Sequence, residues 1–209
     1  MSPARSSLPA IRGGVLPRSF YARDSRVVAP ELLNKVLVRA GRAVRIVEVE
    51  AYAGDEDPAS HAYRGPTPRN AVMFGAAGHL YVYFTYGMHW CANAVCGEPD
   101  VASAVLVRAG APLVGLDEMR AARPAARRDR DLTSGPAKLC QALGIDRAFD
   151  GADLVGDGRS PNELTIVDDG IAPPSAPVVT GRVGLSVGID SPWRWYVPDD
   201  PNVSRGPRP

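Results

Sequence analysis

The residue with the clearest chemical potential is Glu50, which lies in a run of otherwise apolar, β-branched residues. A carboxylate in such low-polarity surroundings can act as a general base. A structural ion pair is the alternative, since the chain has 24 Lys and Arg side chains. Glu48 and Tyr52 have period-two spacing from Glu50, so in a strand all three can point to one face. Both interpretations of Glu50 therefore predict a polar row on one side of a strand.

Aromatic residues form a second group, because they make up 7% of the chain but are concentrated around residues 81–90. Such a set within a strand usually packs in a core. Tyr83 and Tyr86, however, lie close to Gly87, where a strand can end and a side chain can protrude. Aromatic side chains with nearby cations suit the stacking of unpaired nucleic-acid bases. The segment can therefore be either a core or a base-binding surface.

Other polar residues could complete such a site. Arg108 ends an apolar strand and could orient the carboxylate of Glu50 or a water bound to it. Asn93 lies among small apolar residues and needs hydrogen-bond partners if it is buried. His61 lies in a turn-rich loop, where a histidine is usually just exposed to solvent. The histidines have no metal-ligand spacing, so we expect no metal and no cofactor.

Composition excludes several classes of protein. The 209 residues are 45% hydrophobic and 22% charged, which is typical of one globular domain. Three cysteines cannot pair evenly, and no apolar run approaches the roughly 18 residues of a membrane span. The net charge of +1 does not indicate a nucleic-acid partner. We expect a cytoplasmic protein with reduced, packed cysteines.

The predicted elements are short. A helix capped by Asp24 precedes strands near residues 36–39 and 44–52, and an irregular loop near residues 53–78 follows. A helical face is predicted through Leu113, Leu116 and Met119, and a second helix runs from Pro136, capped by Thr133-Ser134, to a glycine stop. The remaining predicted strands cover residues 80–86, 90–95, 102–108, 164–167, 178–187 and 195–197.

These elements predict a single α+β domain with a mixed, largely antiparallel, curved sheet and short flanking helices. We expect a flexible N-terminal arm at residues 1–18, a domain at 19–203 and a disordered tail at 204–209. The arginine-rich, acid-free N-terminus could also be a transit peptide, but an arm is favoured.

Long ordered strings of residues resemble a known family, the alkylpurine (3-methyladenine) DNA glycosylases of the mammalian alkyladenine type. The resemblance extends from about Tyr21 to Val187. It departs at His89, where the mammalian pattern has tyrosine, and in a shorter loop before Thr67. The matching strings are Glu50-Ala51-Tyr52, Gly54, DPASH at 57–61, TPRN at 67–70, Met73-Phe74, Gly78, LYVY at 80–83, Tyr86-Gly87-Met88, Cys91, Asn93, Arg108 and SGPAKLCQAL at 134–143.

The resemblance implies a role for each matching residue. Glu50 would be the general base for a water molecule, with Arg108 beside it. Tyr52, His61 and Tyr83 would sandwich an extruded base, and Asn93 would face the exocyclic amine of guanine. A backbone N–H near Ala59 would donate to the leaving group. At the DNA surface, the resemblance implies Tyr86 as the wedge and Met88 beside it, with Arg69 and Lys138 as further interface residues.

The resemblance also implies a fold and an activity. The fold would be similar to the C-terminal domain of methionyl-tRNA formyltransferase. The enzyme would be a cofactor-free, monomeric DNA-repair glycosylase that flips alkylated purines out of double-stranded DNA and hydrolyses the N-glycosidic bond, leaving an abasic site. Its substrates would be 3-methyladenine and 7-methylguanine, with the deaminated purine hypoxanthine and ethenoadenine as further candidates. In a bacterium it would lie at the nucleoid.

Two other functions stay open at the level of sequence. The aromatic residues and arginines could form a nucleic-acid-binding module without catalysis, although such a module has no need for Glu50. A hydrolase of small nucleosides is the other, although it would have no use for Tyr86 or for the arginine-rich segment at 120–130. That segment could bind phosphate or be solvated surface.

Overall fold

The computed structural model describes residues 11–156 and 164–206. Four short 3-10 helices also occur within these ranges, at Gly54–Glu56, Ala71–Phe74, Asp129–Asp131 and Arg147–Phe149. The α-helices are α1 (Arg18–Tyr21), α2 (Ser25–Leu32), α3 (Leu116–Ala122) and α4 (Pro136–Leu143). The strands are β1 (Gly14–Val15), β2 (Val36–Arg39), β3 (Arg42–Ala53), β4 (Leu80–Thr85), β5 (His89–Cys96), β6 (Ser103–Val114), β7 (Leu164–Asp168), β8 (Val178–Thr180) and β9 (Arg194–Tyr196).

The strands form one curved sheet in the order β1-β7-β2-β3-β6-β5-β4, and all of its strand pairs are antiparallel. The long strand β3 lies at the centre. One edge of β3 pairs with β6 along almost its whole length, while the other edge pairs first with β2 and then with β9. The predicted single α+β domain with a largely antiparallel sheet is therefore confirmed. Its similarity to the formyltransferase domain stays a prediction.

The two faces of the sheet differ because successive residues of a strand point in opposite directions. One face packs into the main hydrophobic core, to which Val49, Val82, Ala94 and Val107 belong. The other face carries the intervening residues of β3 to β6, and we call it the site face. The predicted alternation in β3 therefore separates core residues from the row that contains Glu50.

The helices begin and end largely where the sequence indicates. The Asp24 carboxylate accepts a hydrogen bond of 2.7 Å from the Arg26 N–H at the start of α2. Helix α4 ends at Gly144, whose φ of 66° is in the left-handed region that glycine favours. The predicted cap of α4 by Thr133-Ser134 is wrong. Gly135 occupies the N-cap position, and the Thr133 hydroxyl donates to the Gly110 carbonyl in the neighbouring strand.

Three boundaries differ from the predicted ones. Leu113 lies in β6 and not on a helical face, because β6 continues to Val114 opposite β3. The predicted strand at 178–187 ends at Thr180, after which the chain turns into the site. Two 3-10 helices interrupt the predicted loop at 53–78, which otherwise remains irregular.

The predicted terminal segments also need correction within the described residues. Residues 1–10 and 207–209 lie outside the description, but Gly14–Val15 pairs with β7, so the arm does not extend to residue 18. Ser204 is only 7% exposed and belongs to the site. No helix in the described ranges is long and apolar enough to cross a membrane.

Replacement of Leu139 tests the core beneath α4. Leu139 is fully buried, so Leu139→Ala should lower the free energy of unfolding by about 2–5 kcal/mol through lost apolar contact and a residual cavity. Leu113→Ala is the matched control because Leu113 is 40% exposed. Urea denaturation measures both, and equal losses in the two variants would contradict the packing described here.

Candidate active site and nucleic-acid interface

A β-bulge brings two carboxylates and an arginine together on the site face. In the pairing of β3 with β6, Glu48 lies opposite Ala109 and Val49 lies opposite Val107, so Arg108 has no partner in the register. Bulges of this kind redirect side chains. The Arg108 guanidinium donates through Nε to Glu48, at 3.0 Å, and through Nη1 to Glu50, at 3.1 Å. Arg108 therefore bridges the two carboxylates, as its predicted contact with Glu50 requires.

The Glu50 carboxylate is fully buried and accepts three hydrogen bonds. Its Oε2 accepts from the Tyr52 hydroxyl at 3.0 Å and from Arg108, and its Oε1 accepts from the Val183 backbone N–H at 2.7 Å. An ionised carboxylate has about four acceptor positions. One position therefore remains for a further donor such as water. The ion-pair interpretation of Glu50 is confirmed, and its role as a general base stays a prediction.

A second arginine completes the buried cluster. Arg194 donates through Nε to Glu48 at 2.7 Å, and the cluster of Glu48, Glu50, Arg108 and Arg194 has two charges of each sign. Burial alone would raise the pKa of Glu48, but the charges of Arg108 and Arg194 outweigh it and lower the pKa. Burial opposes ionisation of Arg108 too, yet the two glutamates raise its pKa. Glu48 and Arg108 are therefore held in their charged forms.

A cavity of about 450 Å³ opens on the site face, within the range that small-molecule sites occupy. Residues on directly opposite positions of antiparallel strands share a face, and one such row runs from Arg194 through Glu50, Leu106 and Asn93 to Tyr81. The side chains of the last three residues line the cavity. Glu50 does not line it, but its three donors do.

Aromatic rings form much of the cavity wall, where the sequence predicted stacking residues. His61 and Tyr83 pack edge to face with centroids 4.4 Å apart, and His61 Nδ1 lies 3.1 Å from the Tyr81 hydroxyl. Loss of solvent around the ring and the nearby Arg69 charge lower the pKa of His61, so its ring is neutral at pH 7. Burial and the proximity of Glu50 raise the pKa of Tyr52. Its hydroxyl therefore stays protonated as a donor.

The loop that carries His61 is held in place by two buried polar residues. The Asn70 side-chain amide donates to the His61 carbonyl at 2.8 Å and to the Gly65 carbonyl at 3.1 Å. Asp57 forms a buried ion pair with Arg182, whose guanidinium carbon also lies 4.7 Å from the centre of the Tyr52 ring. The strings DPASH and TPRN thus contain the residues that fix the cavity wall.

Two predicted pocket residues have partners within the protein. Asn93 is 4% exposed and donates to the Tyr81 carbonyl at 3.1 Å, which leaves its amide oxygen to face the cavity that it lines. Ala59 lines the cavity as well, but its backbone N–H donates to Asp57 Oδ1 at 3.1 Å. The Ala59 N–H is therefore engaged, and the expectation that a backbone N–H near Ala59 donates to a leaving group stays a prediction.

The hairpin between β4 and β5 ends in an exposed aromatic residue beside the cavity. Tyr86 and Gly87 have φ values of 51° and 65°, as in a type I′ turn. A positive φ is uncommon for tyrosine, and the Tyr86 side chain is 78% exposed. Met88 is 66% exposed beside it, and Arg69 Nη2 donates to the Phe84 carbonyl at 2.9 Å. The entry of this tip into DNA stays a prediction.

The other basic residues predicted to contact phosphate are Lys138 and the arginines of the segment at 120–130. Lys138 is in the first turn of α4 and donates to the Ser134 hydroxyl at 3.2 Å, one residue after Pro136 and Ala137, which line the cavity. In the segment at 120–130, Arg120 pairs with Asp117 and Asp129, while Arg128 pairs with Asp131. These aspartates offset much of the positive charge, so a phosphate contact there stays a prediction.

Four residues of the site were missed by sequence analysis. Val183 and Arg182 come from a segment interpreted as an ordinary strand, at 178–187. Arg194 lies one residue before the predicted strand at 195–197, and Ser204 lies in a predicted tail. A weak signal existed in the run of Gly181, Arg182, Val183 and Gly184, because two glycines flanking an arginine interrupt a strand pattern.

In the described ranges, no group of three or more His, Cys, Asp or Glu residues could hold a metal, and the three cysteines are free and buried.

The fold and site together define a class of protein. An aromatic cavity lined by Tyr52, His61 and Tyr83, with an exposed aromatic hairpin beside it, is the kind of surface on which proteins stack unpaired nucleic-acid bases. A family model described as methylpurine-DNA glycosylase matches residues 19–201.

Individual relatives agree with this match. A Burkholderia lata protein provisionally named 3-methyladenine DNA glycosylase is 60% identical over 197 residues, which cover 94% of each chain. Relatives with the same provisional name are 48% identical in Streptomyces avermitilis, over 90% of each chain, and 47% identical in Methanocella arvoryzae, over 91% of this chain and 96% of the relative. The chain therefore belongs to the methylpurine-DNA glycosylase family, and it is a DNA glycosylase.

The buried pair of Asp57 and Arg182 gives a test of how the cavity wall is held. Asp57→Ala leaves the Arg182 charge buried and unpaired, so it should lower the free energy of unfolding by about 3–5 kcal/mol. The double variant Asp57→Ala/Arg182→Met should be less destabilised than Asp57→Ala alone. Glu31→Ala, which breaks the exposed pair with Arg23, should cost less than about 1 kcal/mol. Urea denaturation distinguishes these outcomes, and similar losses for Asp57→Ala and Glu31→Ala would refute the expectation.

Proposed function

We propose that this enzyme removes alkylated purines, including 3-methyladenine and 7-methylguanine, from double-stranded DNA and leaves an abasic site. Water, activated by Glu50, would attack the sugar carbon as the N-glycosidic bond breaks. The proposal rests above all on the Glu50 carboxylate, which is buried behind an aromatic cavity with three donors and one acceptor position to spare.

The chemistry requires only one base. A purine alkylated at N3 or N7 is already cationic and leaves readily, so the enzyme needs to activate water and stabilise an oxocarbenium-like transition state. Glu50 could accept the proton of the water, while Arg108 would help to hold both the carboxylate and the water. Glu48 is not available as a second acid, because Arg108, Arg194 and Ser204 occupy its carboxylate.

The cavity wall would recognise the flipped base by stacking and by one polar contact. Tyr52, His61 and Tyr83 offer aromatic surface, and an electron-poor alkylated ring should stack well on tyrosine. The Asn93 amide is held by the Tyr81 carbonyl, so a purine with an exocyclic amine must fit against a side chain that cannot rotate freely. Damaged purines would be favoured because they also leave the helix at lower cost.

The exposed hairpin would occupy the space that the flipped nucleotide leaves. Tyr86 projects from a turn that the Met88 N–H closes on the Thr85 carbonyl at 3.2 Å, so its exposed ring is already presented to a base stack. Met88 would contact the DNA beside it, with Arg69 and Lys138 near phosphates. We propose that the protein acts on DNA as a monomer.

Replacement of Glu50 tests the chemical step. Purified protein in EDTA is incubated with methylated duplex DNA, the released bases are chromatographed, and the DNA is treated with alkali. The wild type should release 3-methyladenine and leave alkali-labile sites, whereas Glu50→Gln should lose at least about a hundredfold in rate while still binding a lesion duplex. Glu31→Gln, at an exposed position, is the control and should match the wild type.

Other results would favour the alternative functions. Normal excision by Glu50→Gln would exclude the proposed mechanism. Tight binding of lesion DNA by the wild type without release would indicate a nucleic-acid-binding module. Release from free nucleosides that does not weaken as salt rises would indicate a small-molecule hydrolase, because a DNA enzyme loses phosphate contacts in salt.

Replacement of Tyr86 tests the wedge. Tyr86→Ala removes the ring that would fill the vacated stack, so single-turnover excision from duplex DNA should fall by about tenfold or more. Excision from single-stranded lesion DNA, which has no partner strand to displace, should fall much less. Tyr63→Ala is the matched control, since Tyr63 is also exposed, at 47%, but lies outside the hairpin. Equal losses on the two substrates would contradict the wedge.

A further inference from the structure

We propose that Ser204, acting with Glu48, is a positioning residue for Arg108 and holds its guanidinium in the orientation that serves Glu50. The inference rests on the proposed function, because it assigns Ser204 a part in the same water-activating site. It also gives the C-terminal segment a role in catalysis, although that segment lies 154 residues after Glu50 in the sequence.

The contacts of Ser204 form a bridge between an arginine and a glutamate. Its hydroxyl donates to Glu48 Oε1 at 2.9 Å and accepts from Arg108 Nη2 at 3.3 Å, while its backbone N–H donates to Glu48 Oε2 at 2.7 Å. Ser204 is 7% exposed and Glu48 is fully buried. Few side chains other than a short hydroxyl could both donate to the carboxylate and accept from the guanidinium here.

Arg108 needs this support because of where it stands. A long arginine side chain can adopt many rotamers, and the bulge that carries Arg108 gives it no pairing partner in the sheet. Its guanidinium donates through Nε to Glu48, through Nη2 to Ser204 and through Nη1 to Glu50. The first two contacts fix the guanidinium plane. The third then holds the Glu50 carboxylate through Oε2, while Oε1, with one donor, keeps an acceptor position for the water.

The segment around Ser204 also packs against Val183, a second donor to the Glu50 carboxylate. A Cβ built on Gly206 would lie 2.6 Å from Val183 Cγ2, so the chain passes tightly against the residue whose N–H donates to Glu50 Oε1. The C-terminal segment therefore contacts both Arg108 and Val183, two of the three donors to Glu50. Glu48 anchors the segment from β3, two residues before Glu50 itself.

Replacement of the Ser204 hydroxyl tests this role. Ser204→Ala keeps the backbone N–H bond to Glu48, so the variant should fold with nearly the wild-type melting temperature. Its single-turnover excision rate on a saturating methylated duplex should fall by about tenfold or more, and its Kd for a lesion duplex should change by less than about twofold. Ser204→Thr, which retains the hydroxyl, should restore most of the rate.

The matched control is Asn202→Ala. Asn202 is also 7% exposed in the same segment, but within the described ranges its hydrogen bonds are to Asp200 and not to the charged cluster. A purely structural role for the segment would lower rate, affinity and stability together in both variants. A wild-type rate in Ser204→Ala, or a loss equal to that of Asn202→Ala, would overturn the proposal.

Parallel assays separate this inference from the proposed function. If the wild type excises and Glu50→Gln does not, while Ser204→Ala excises at the wild-type rate, then only the positioning role fails. If Glu50→Gln excises normally, then the proposed mechanism itself fails, whatever the Ser204 variants do.

Discussion

The buried charge cluster on β3 is the constraint on which the rest of the site depends. An isolated carboxylate cannot stay charged inside a protein, so Glu48 and Glu50 require Arg108 and Arg194 at close range. Meeting that requirement brings β6, β9 and the C-terminal segment against one strand. The site is therefore rigid where the chemistry would occur, because moving any one member would leave a buried charge without its partner.

The remaining parts of the site are attached to this rigid centre in different ways. The loop with His61 is fixed by polar bonds through Asn70 and by the buried pair of Asp57 and Arg182. The hairpin tip with Tyr86 makes few contacts and is open to solvent. This division suits the proposed function. A base and a water would be held in fixed positions in the cavity, while the wedge would contact DNA of varying sequence.

Burial and function are not separable at Glu50. The three donors that make the residue a satisfied structural ion pair are also the groups that would aim its remaining acceptor position at a water. If an ion pair has only a structural role, both of its residues can be replaced by uncharged ones. The family to which the chain belongs, the cavity of about 450 Å³ and the exposed Tyr86 support the proposed role of the carboxylate in catalysis.

The sequence by itself determined most of the local structure, the side of β3 on which Glu48, Glu50 and Tyr52 lie, and, through long motif strings, the family. Period-two alternation, an Asp24 cap and a glycine stop at Gly144 are local signals that neighbouring residues impose. Only the tertiary structure decided that Arg108 sits in a bulge and that Val183 and Ser204 reach Glu50 and Glu48. The physical reason is that these contacts join residues 58 to 156 positions apart, and they are stabilised by burial in the folded protein, which no local sequence pattern encodes.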